Sequence, residues 1–326
     1  MLLSGDIGGT KTRLALAEVS GTRVEIRREQ SFASQQYPTF DALLGEFLGD
    51  AGAVRAAAFG VAGPVNGRVA QATNLPWRLE ADALQTRFGF ARCHLLNDLE
   101  ATAWGLPALG DADLLTLQPG AVGAQGNQAV IAAGTGLGEA GLYWDGQRHH
   151  PFASEGGHAT FAPRNALEIA LLQHLQQQRE HVSWERVVSG MALPDLYSFL
   201  RQHRHAPLPD WLAQDVPGPN AAAAISTAAL QRRDPLCVET LDWFVALYGA
   251  EAGNLALKTM SRGGLFIGGG IAPKILPLLQ AGGFLAAFND KGRMRPLLQA
   301  MPVKVILNDR AALYGPALFA AQAGAA

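Results

Sequence analysis

The sequence predicts an α/β protein, and three observations carry that prediction. Short apolar runs of strand length alternate with longer amphipathic stretches of helical period. A glycine turn follows an apolar strand at three separate places, Gly8-Gly9, Gly134–Gly138 and Gly268–Gly270. The length of 326 residues, with 48% hydrophobic content, suggests about two domains with substantial cores. A formal net charge of −2 provides no basic field for nucleic acid or an anionic membrane. Cys93 and Cys237 are the only cysteines and lie far apart, which argues against a disulfide framework or a structural zinc site and suits a reducing compartment. No basic segment precedes an apolar run at the N-terminus, and no uninterrupted apolar stretch reaches about 18 residues. A soluble, cytoplasmic protein is expected.

Taken in order, Leu2-Leu3 and Leu14–Ala17 flank Gly8-Gly9 as strand, tight turn and strand, and Arg23–Phe32 alternates as a third strand. Pro38 suits the first turn of a helix with Phe40, Leu43, Leu44, Phe47 and Leu48 on one face. Ala56–Ala62 reads as a buried strand ending in the turn Gly63–Gly67, with Arg68–Asn74 returning as a strand. Leu79–Phe88 reads as a helix, Cys93–Leu96 as a strand ending at Asn97-Asp98, and Leu99–Leu106 as a helix stopping before Pro107. Gln118–Gln128 is a Gly/Gln-rich loop. Ala129–Ala133 and Ala140–Trp144 then flank the Gly134–Gly138 turn, repeating the pattern of the opening hairpin. Repetition of a whole α/β half, with a nucleotide between two lobes, is one cause of that recurrence; chance is the other. Helices follow at Asn165–Gln178, Leu193–Leu200, Ala221–Arg232 and from Pro235 through Met260, with His203–Val216 a polar loop. Gly263–Gly270 is a strand ending in glycines, Ile275–Leu279 a helix, Val303–Leu307 a last strand and Arg310–Gln322 a closing helix.

The hairpin carries the first chemical signal. Glycines let the backbone turn sharply and approach a ligand, and successive N–H groups with the Thr10 hydroxyl make an anion nest. A carboxylate beside that nest would repel phosphate unless a cation lay between, so Asp6 suggests Mg²⁺. An ordinary glycine hairpin with an exposed Asp is the alternative. Gly136-Leu137-Gly138-Glu139-Ala140-Gly141 fits the GxGxxG dinucleotide pattern, but Leu142–Gly146 reads as strand and turn, not as the required helix. No Walker P-loop occurs.

Asn97-Asp98 sits where a strand meets a helix. Asn97 can cap that helix with Glu100 at N3, and the helix N-terminus keeps Asp98 ionised, fit to accept a hydroxyl proton. Glu155-Gly156-Gly157-His158 puts a carboxylate and an imidazole on one sharply turned loop, good partners for vicinal hydroxyls, unless it is only a surface turn. Glu185 reads most simply as a first-turn acid in a helix capped by Ser183. His149-His150 and His203/His205 lack the company of a metal site and read as solvated.

Asp6-Ile7-Gly8-Gly9-Thr10, Asn97-Asp98, Gly134-Thr135-Gly136-Leu137-Gly138, Glu155-Gly156-Gly157-His158, Glu185 before Ser189-Gly190 and Gly268-Gly269-Gly270, in that order and spacing, resemble the bacterial ATP-dependent glucokinases. The resemblance runs essentially end to end. It implies a two-lobed ribonuclease-H-like (actin-like ATPase) fold with a deep interlobe cleft. A small lobe would span 1–108 plus 307–326, and a large lobe 109–306. It implies ATP-dependent phosphorylation of glucose at the 6-hydroxyl, the first step of glucose use in glycolysis, usually by a homodimer. Asp98 would be the general base. Asn97, Glu155, His158 and Glu185 would join it in binding sugar hydroxyls. Asp6 would assist Mg²⁺ through water. Gly8, Gly9, Thr10, Gly134, Thr135 and Gly136 would hold the ATP phosphates, and Gly268, Gly269 and Gly270 would lie by the adenosine. The related repressor/open-reading-frame/kinase family carries a Cys-rich zinc motif, against which two isolated cysteines argue. Lys11 stands where many members have Asn, which bears on phosphate contacts, and Leu75-Pro76 differs from some members. The alternatives are a kinase for another hexose, or a sugar-sensing, non-catalytic member of the fold. A regulator would ordinarily place a helix-turn-helix before the first strand, which here starts at Leu2, and retention of Asp98 argues against a dead enzyme.

Overall fold

The opening stretch folds as the expected hairpin. In the computed structural model, which describes residues 1–49, 53–216 and 218–323, β1 (Leu2–Ile7) pairs antiparallel with β2 (Lys11–Ser20). Residues 50–52, 217 and 324–326, which fall within the predicted lobes, lie outside the described residues. β2 pairs in turn with β3 (Arg23–Ala33). α1 (Phe40–Leu48) starts two residues after Pro38, because the Thr39 hydroxyl accepts the Ala42 N–H at 3.2 Å and supplies the cap. β4 (Ala56–Val61) is buried at every position, as its unbroken apolar run requires of a strand covered on both faces.

β5 (Val65–Asn66), β6 (Val69–Gln71) and β7 (Arg78–Glu80) form a small antiparallel sheet. The helix expected from Leu79 therefore begins later, as α2 (Ala81–Phe88): Leu79 pairs with Ala70 and is buried there, and that long-range pairing overrides helical period. β8 (Arg92–Asn97) leads directly into α3 (Asp98–Gly105), and Pro107 falls in a 3₁₀ turn beyond it. The sheet order is β3-β2-β1-β4-β8, with β1, β4 and β8 parallel.

The next sheet contains β9 (Leu114–Gln118), β10 (Gln128–Ala133), β11 (Leu137–Trp144) and β12 (His149–Ser154). Helices α4 (Ala166–Gln176), α5 (Ala192–His203), α6 (Asp210–Ala213), α7 (Ala221–Leu230) and α8 (Pro235–Thr259) follow. β13 (Gly264–Gly268), α9 (Leu276–Gln280), α10 (Gly283–Asn289), α11 (Arg295–Gln299) and β14 (Val303–Ile306) complete this part. β9, β12, α6, α10 and α11 are additions to the sequence reading. All are short, and β9 and β12 lie at the sheet's edges, half-buried, where alternation is weak. The sheet order is β12-β11-β10-β13-β14-β9, with β10, β13 and β14 parallel. Apart from β9, the order third-second-first-fourth-fifth recurs in both large sheets, each with a hairpin pairing its first two strands. The repeated glycine hairpin is thus part of a repeated topology.

The chain divides into two compact units, one of Met1–Leu114, Pro151–Ala153 and Asn308–Ala326, the other of Leu115–His150 and Ser154–Leu307. Each has its own apolar core, the first around Phe40, Phe47 and Phe59, the second around α8 with Phe244, Tyr248 and Phe284. Cys93 and Cys237 are buried and unpaired, and burial pushes both thiols up to about 12. No helix among the described residues is long and apolar enough to cross a membrane.

After β14 the chain enters α12 (Ala311–Gln322), which belongs to the first unit. It meets α3 backbone to backbone through two glycines: a Cβ on Gly315 would stand 1.7 Å from the Ala101 carbonyl oxygen, and one on Gly105 2.1 Å from that of Ala311. Gly315→Val is expected to destabilise the protein by about 3 kcal/mol through overpacking, as measured by urea unfolding. An unchanged midpoint would show that this contact is not close.

Candidate active site

In the first unit the parallel register brings the ends of three strands level, with Ile7 opposite Val61 and Val61 opposite Asn97. Ligands of α/β sheets collect at such ends. At the end of β1, the Gly8 N–H donates to the Lys11 carbonyl at 3.1 Å, closing the turn. Ser34 pins it from the side: its hydroxyl donates to the Gly8 carbonyl at 2.7 Å and its N–H to that of Thr10 at 3.0 Å. A Cβ on Gly9 would lie 2.9 Å from the Thr73 carbonyl oxygen, so glycine is needed for that close approach.

Asp6 faces Arg13 across the hairpin, and the Arg13 guanidinium donates to its Oδ2 at 3.2 Å. The same buried guanidinium donates to Asp309 Oδ2 at 2.9 Å and to the Asp309 carbonyl at 2.6 Å. Burial raises the Asp6 pKa, with Arg13 opposing the rise. Among the described residues no group of three or more His, Cys, Asp or Glu is arranged to hold a metal. One carboxylate next to a glycine turn would fit a Mg²⁺ that arrives with phosphates, since such an ion takes most of its ligands from water and substrate.

At the end of β8, Asn97 caps α3: its Oδ1 accepts from the Leu99 N–H at 2.9 Å and the Glu100 N–H at 3.3 Å. Asp98 is the first residue of the helix, and its Oδ1 lies 3.0 Å from the Leu99 nitrogen. The helix dipole favours a carboxylate here. Gly60 on β4 makes room for this turn, since a Cβ there would stand 2.7 Å from that of Ala101 and 3.6 Å from the Asp98 Cα.

In the second unit Tyr248 fixes the end of β10: its hydroxyl accepts from the Ala133 N–H at 3.1 Å and donates to the Ile131 carbonyl at 3.2 Å. The Gly134 N–H then bonds the Gly136 carbonyl, and the Gly190 N–H bonds the Gly134 carbonyl, both at 2.8 Å. Glu185 lies in a 3₁₀ turn, Trp184–Arg186, where the Ser183 side chain makes no cap bond. Its Oε2 instead accepts from the Leu137 N–H at 3.0 Å, and a Cβ on Gly136 would stand 2.3 Å from that oxygen. Glu185 is thus a first-turn acid, as the simpler reading has it, but of a short 3₁₀ element that Ser183 does not cap, and one of its carboxylate oxygens accepts from the start of β11.

Glu155 and His158 flank a 3₁₀ turn at Gly156–His158, with His158 Nε2 3.9 Å from Glu155 Oε2 and both side chains largely exposed. The two glycines press on β11. A Cβ on Gly156 would reach 1.8 Å from Glu139 Oε2, and one on Gly157 2.0 Å from the Leu137 carbonyl oxygen. Gly134–Gly136, Glu185 and the Glu155–His158 turn therefore gather at the start of β11. Gly268 closes β13 opposite Ala132, and Gly269, at φ +83°, brings its Cα against the Ala133 carbonyl, 2.4 Å from where a Cβ would stand. Gly270 follows, with open space beside it.

A family model described as glucokinase matches residues 3–323. The chain belongs to the glucokinase family. It is 44% identical over 338 residues to a glucokinase of Nostoc punctiforme, covering 99% of both chains. The crystal structure of a glucokinase from an Antarctic psychrotroph matches with a TM-score of 0.85 at 30% identity, covering 98% of both chains. A ROK-family glucokinase from Streptomyces griseus, solved in complex with glucose and AMPPNP, shares the fold at a TM-score of 0.67 and 24% identity, over 98% of this chain and 99% of that one. The ribonuclease-H-like, actin-like ATPase fold and the glucose-phosphorylating enzyme class expected from sequence both hold.

Several residues of this glucokinase-family site escaped sequence reasoning. Arg13 was detectable, since hairpin register puts it opposite Asp6; Asp309, at the far end of the chain, carried no local signal. Ser34, Tyr248 and Glu139 act on backbone or turn from a distance in sequence. The histidines read as solvated are partly engaged: His150 pairs with Asp145 at 2.6 Å, His149 lies 3.0 Å from the Gly126 carbonyl, and His203 stacks on Phe199. Gly136→Ala should fold with a loss of about 1–2 kcal/mol, because the obstructing atom is the tip of a side chain that can move. Hydrogen exchange at the Leu137 amide is expected to accelerate as Glu185 is displaced, and unchanged protection would contradict the contact.

Proposed function

We propose that the protein transfers the γ-phosphoryl group of ATP to the 6-hydroxyl of D-glucose, giving glucose 6-phosphate and ADP, with Asp98 as general base. The observation that carries this reading is the placement of Asp98 at the first position of α3, beside an Asn97 that caps the helix. A carboxylate at a strand end, where a helix N-terminus favours its charged form, is suited to take the hydroxyl proton as the sugar oxygen attacks phosphorus in line. Membership of the glucokinase family supports glucose as acceptor. The glucose- and AMPPNP-bound relative of the same fold supports an ATP-like donor.

Asn97, Glu155, His158 and Glu185 would bond the remaining sugar hydroxyls. The turns Gly8-Gly9-Thr10 and Gly134-Thr135-Gly136 would hold the phosphate oxygens through N–H groups other than those of Gly8 and Gly134, which bond within their own turns, and Gly268, Gly269 and Gly270 would admit the adenosine. Asp6 would hold Mg²⁺ through water, and the ion, when bound with ATP, supplies positive charge to the phosphate oxygens. The donors are fixed before reaction, so they stabilise developing charge without reorganising. We further propose a cytoplasmic homodimer, which two buried free thiols suit in a reducing compartment and which light scattering on the purified protein would test.

A coupled assay for glucose 6-phosphate with ATP, ADP and polyphosphate as donors tests the reaction; product from ATP alone is expected. Asp98→Asn should retain the fold by circular dichroism while kcat falls on the order of 10²–10⁴. Near-normal turnover would remove Asp98 from the chemistry. Glu155→Gln should raise the glucose KM more than the ATP KM, and equal changes would count against a sugar contact.

A further inference from the structure

We propose that Glu139 is a positioning residue for the Glu155–His158 turn, supporting it from beneath as a neutral acid that shares its proton with Glu251. The inference rests on the reading of that turn as a sugar contact. Glu139 lies in the middle of β11, opposite Ile131, and is 2% exposed. Its Oε2 is the atom against which Gly156 packs, and any side chain there would collide with it. Glycine at 156 is what lets the turn settle onto a buried carboxyl.

The partner carboxyl comes from α8. Glu251 is fully buried and within hydrogen-bonding reach of Glu139. Its Oε2 accepts from Asn254 at 2.8 Å, while its Oε1 has Lys258 only at 3.7 Å. Lys291 does not rescue the pair, because its ammonium donates to the Ala250 carbonyl at 2.8 Å and to Asn254 Oδ1 at 2.7 Å. Glu139 Oε1 and Glu251 Oε1 are both buried without a hydrogen-bond donor. Two ionised carboxylates in that position would each be desolvated and would repel each other. One proton between them removes the repulsion and turns two lone acceptors into a hydrogen bond.

The other ionisable groups around the pair are Lys258 and Tyr248 on α8, Lys291 and Asp290 after α10, Arg164 acting on Lys291, and Glu155 and His158 on the turn. Burial is the largest influence on Glu139 and the Glu251 charge the next, with Lys258 opposing, and its pKa is pushed up to about 8. The folded state thus binds a proton that the unfolded chain releases near 4.5. The associated stability is fully present below the unfolded value and is lost as pH rises through the folded one. When Glu139 ionises, β11 and α8 are held by the core, so the exposed turn is the part that yields.

The test measures kcat and both KM values of the full-length enzyme between about pH 6.5 and 9.5 for the parent, Glu139→Gln and Glu139→Ala. In the parent the glucose KM is expected to rise about tenfold through the alkaline range with the ATP KM flat. Glu139→Gln still donates to Glu251 but cannot ionise; its glucose KM at neutral pH should stay within about twofold of the parent and should lack the rise. Glu139→Ala should raise the glucose KM at every pH. Thermal unfolding adds a second reading: Glu139→Gln should gain on the parent as pH rises from 5 toward 8. An alkaline rise that persists in Glu139→Gln overturns the inference, even where Glu139→Ala fails to fold. Glu155→Gln separates the two levels. If it leaves the glucose KM unchanged, the sugar reading of the turn falls and this inference with it. If it raises the KM while Glu139→Gln follows the parent's pH profile, only the positioning role falls.

Discussion

The arrangement depends on the level ends of the parallel strands. Because β1, β4 and β8 share one register, Ile7, Val61 and Asn97 finish side by side, and whatever follows each strand is delivered to the same edge. A glycine turn follows β1, and Asp98 follows β8. Holding α3 at that edge requires two close approaches, onto β4 at Gly60 and onto α12 at Gly105 and Gly315. The position of one carboxylate is thus set by small residues that none of its chemistry would reveal. It also explains why the last helix of the chain belongs to the first unit: α12 is the support against which α3 is pressed.

Three acids in this protein show how location decides protonation. Asp98 sits at a helix N-terminus, where the helix dipole favours charge. Asp6 is raised by burial but shares a guanidinium with Asp309, so its charge has a fixed counterpart. Glu139 has another carboxyl beside it and its nearest cation belongs to that neighbour, so burial prevails. The first two are suited to act as acceptors or cation partners, the third as a neutral strut.

Much of the fold was legible because its signals are local. Glycine turns after apolar runs, the Asn97 cap and the long period of α8 are properties of adjacent residues, and they fold as read. Errors arose where distant pairing decided the outcome. Leu79 entered a strand because Ala70 was waiting for it, and the bond from the Leu137 N–H to Glu185, across 48 residues, carried no local signal. The candidate site residues come from motifs; the contacts that support those motifs were not legible. Arg13 with Asp309, Ser34, Tyr248 and Glu139 hold the motifs by contacts that no spacing in the sequence encodes.

The recurring sheet order lets the two hairpins be compared directly, and the comparison shows where their chemistry diverges. Both turn on glycines after a first strand, and both need an outside group to fix the turn. In the first unit a neutral hydroxyl, Ser34, donates to the Gly8 carbonyl, and the Gly8 N–H is committed to the Lys11 carbonyl. In the second a carboxylate, Glu185, accepts the N–H of Leu137, so part of the donor set is already committed. That carboxylate brings charge to the start of β11 and needs glycine at 136 to do so. The second hairpin is therefore not a simple copy of the first. Its turn is built to carry an acceptor as well as donors, which is what a residue serving sugar hydroxyls beside bound phosphate would require.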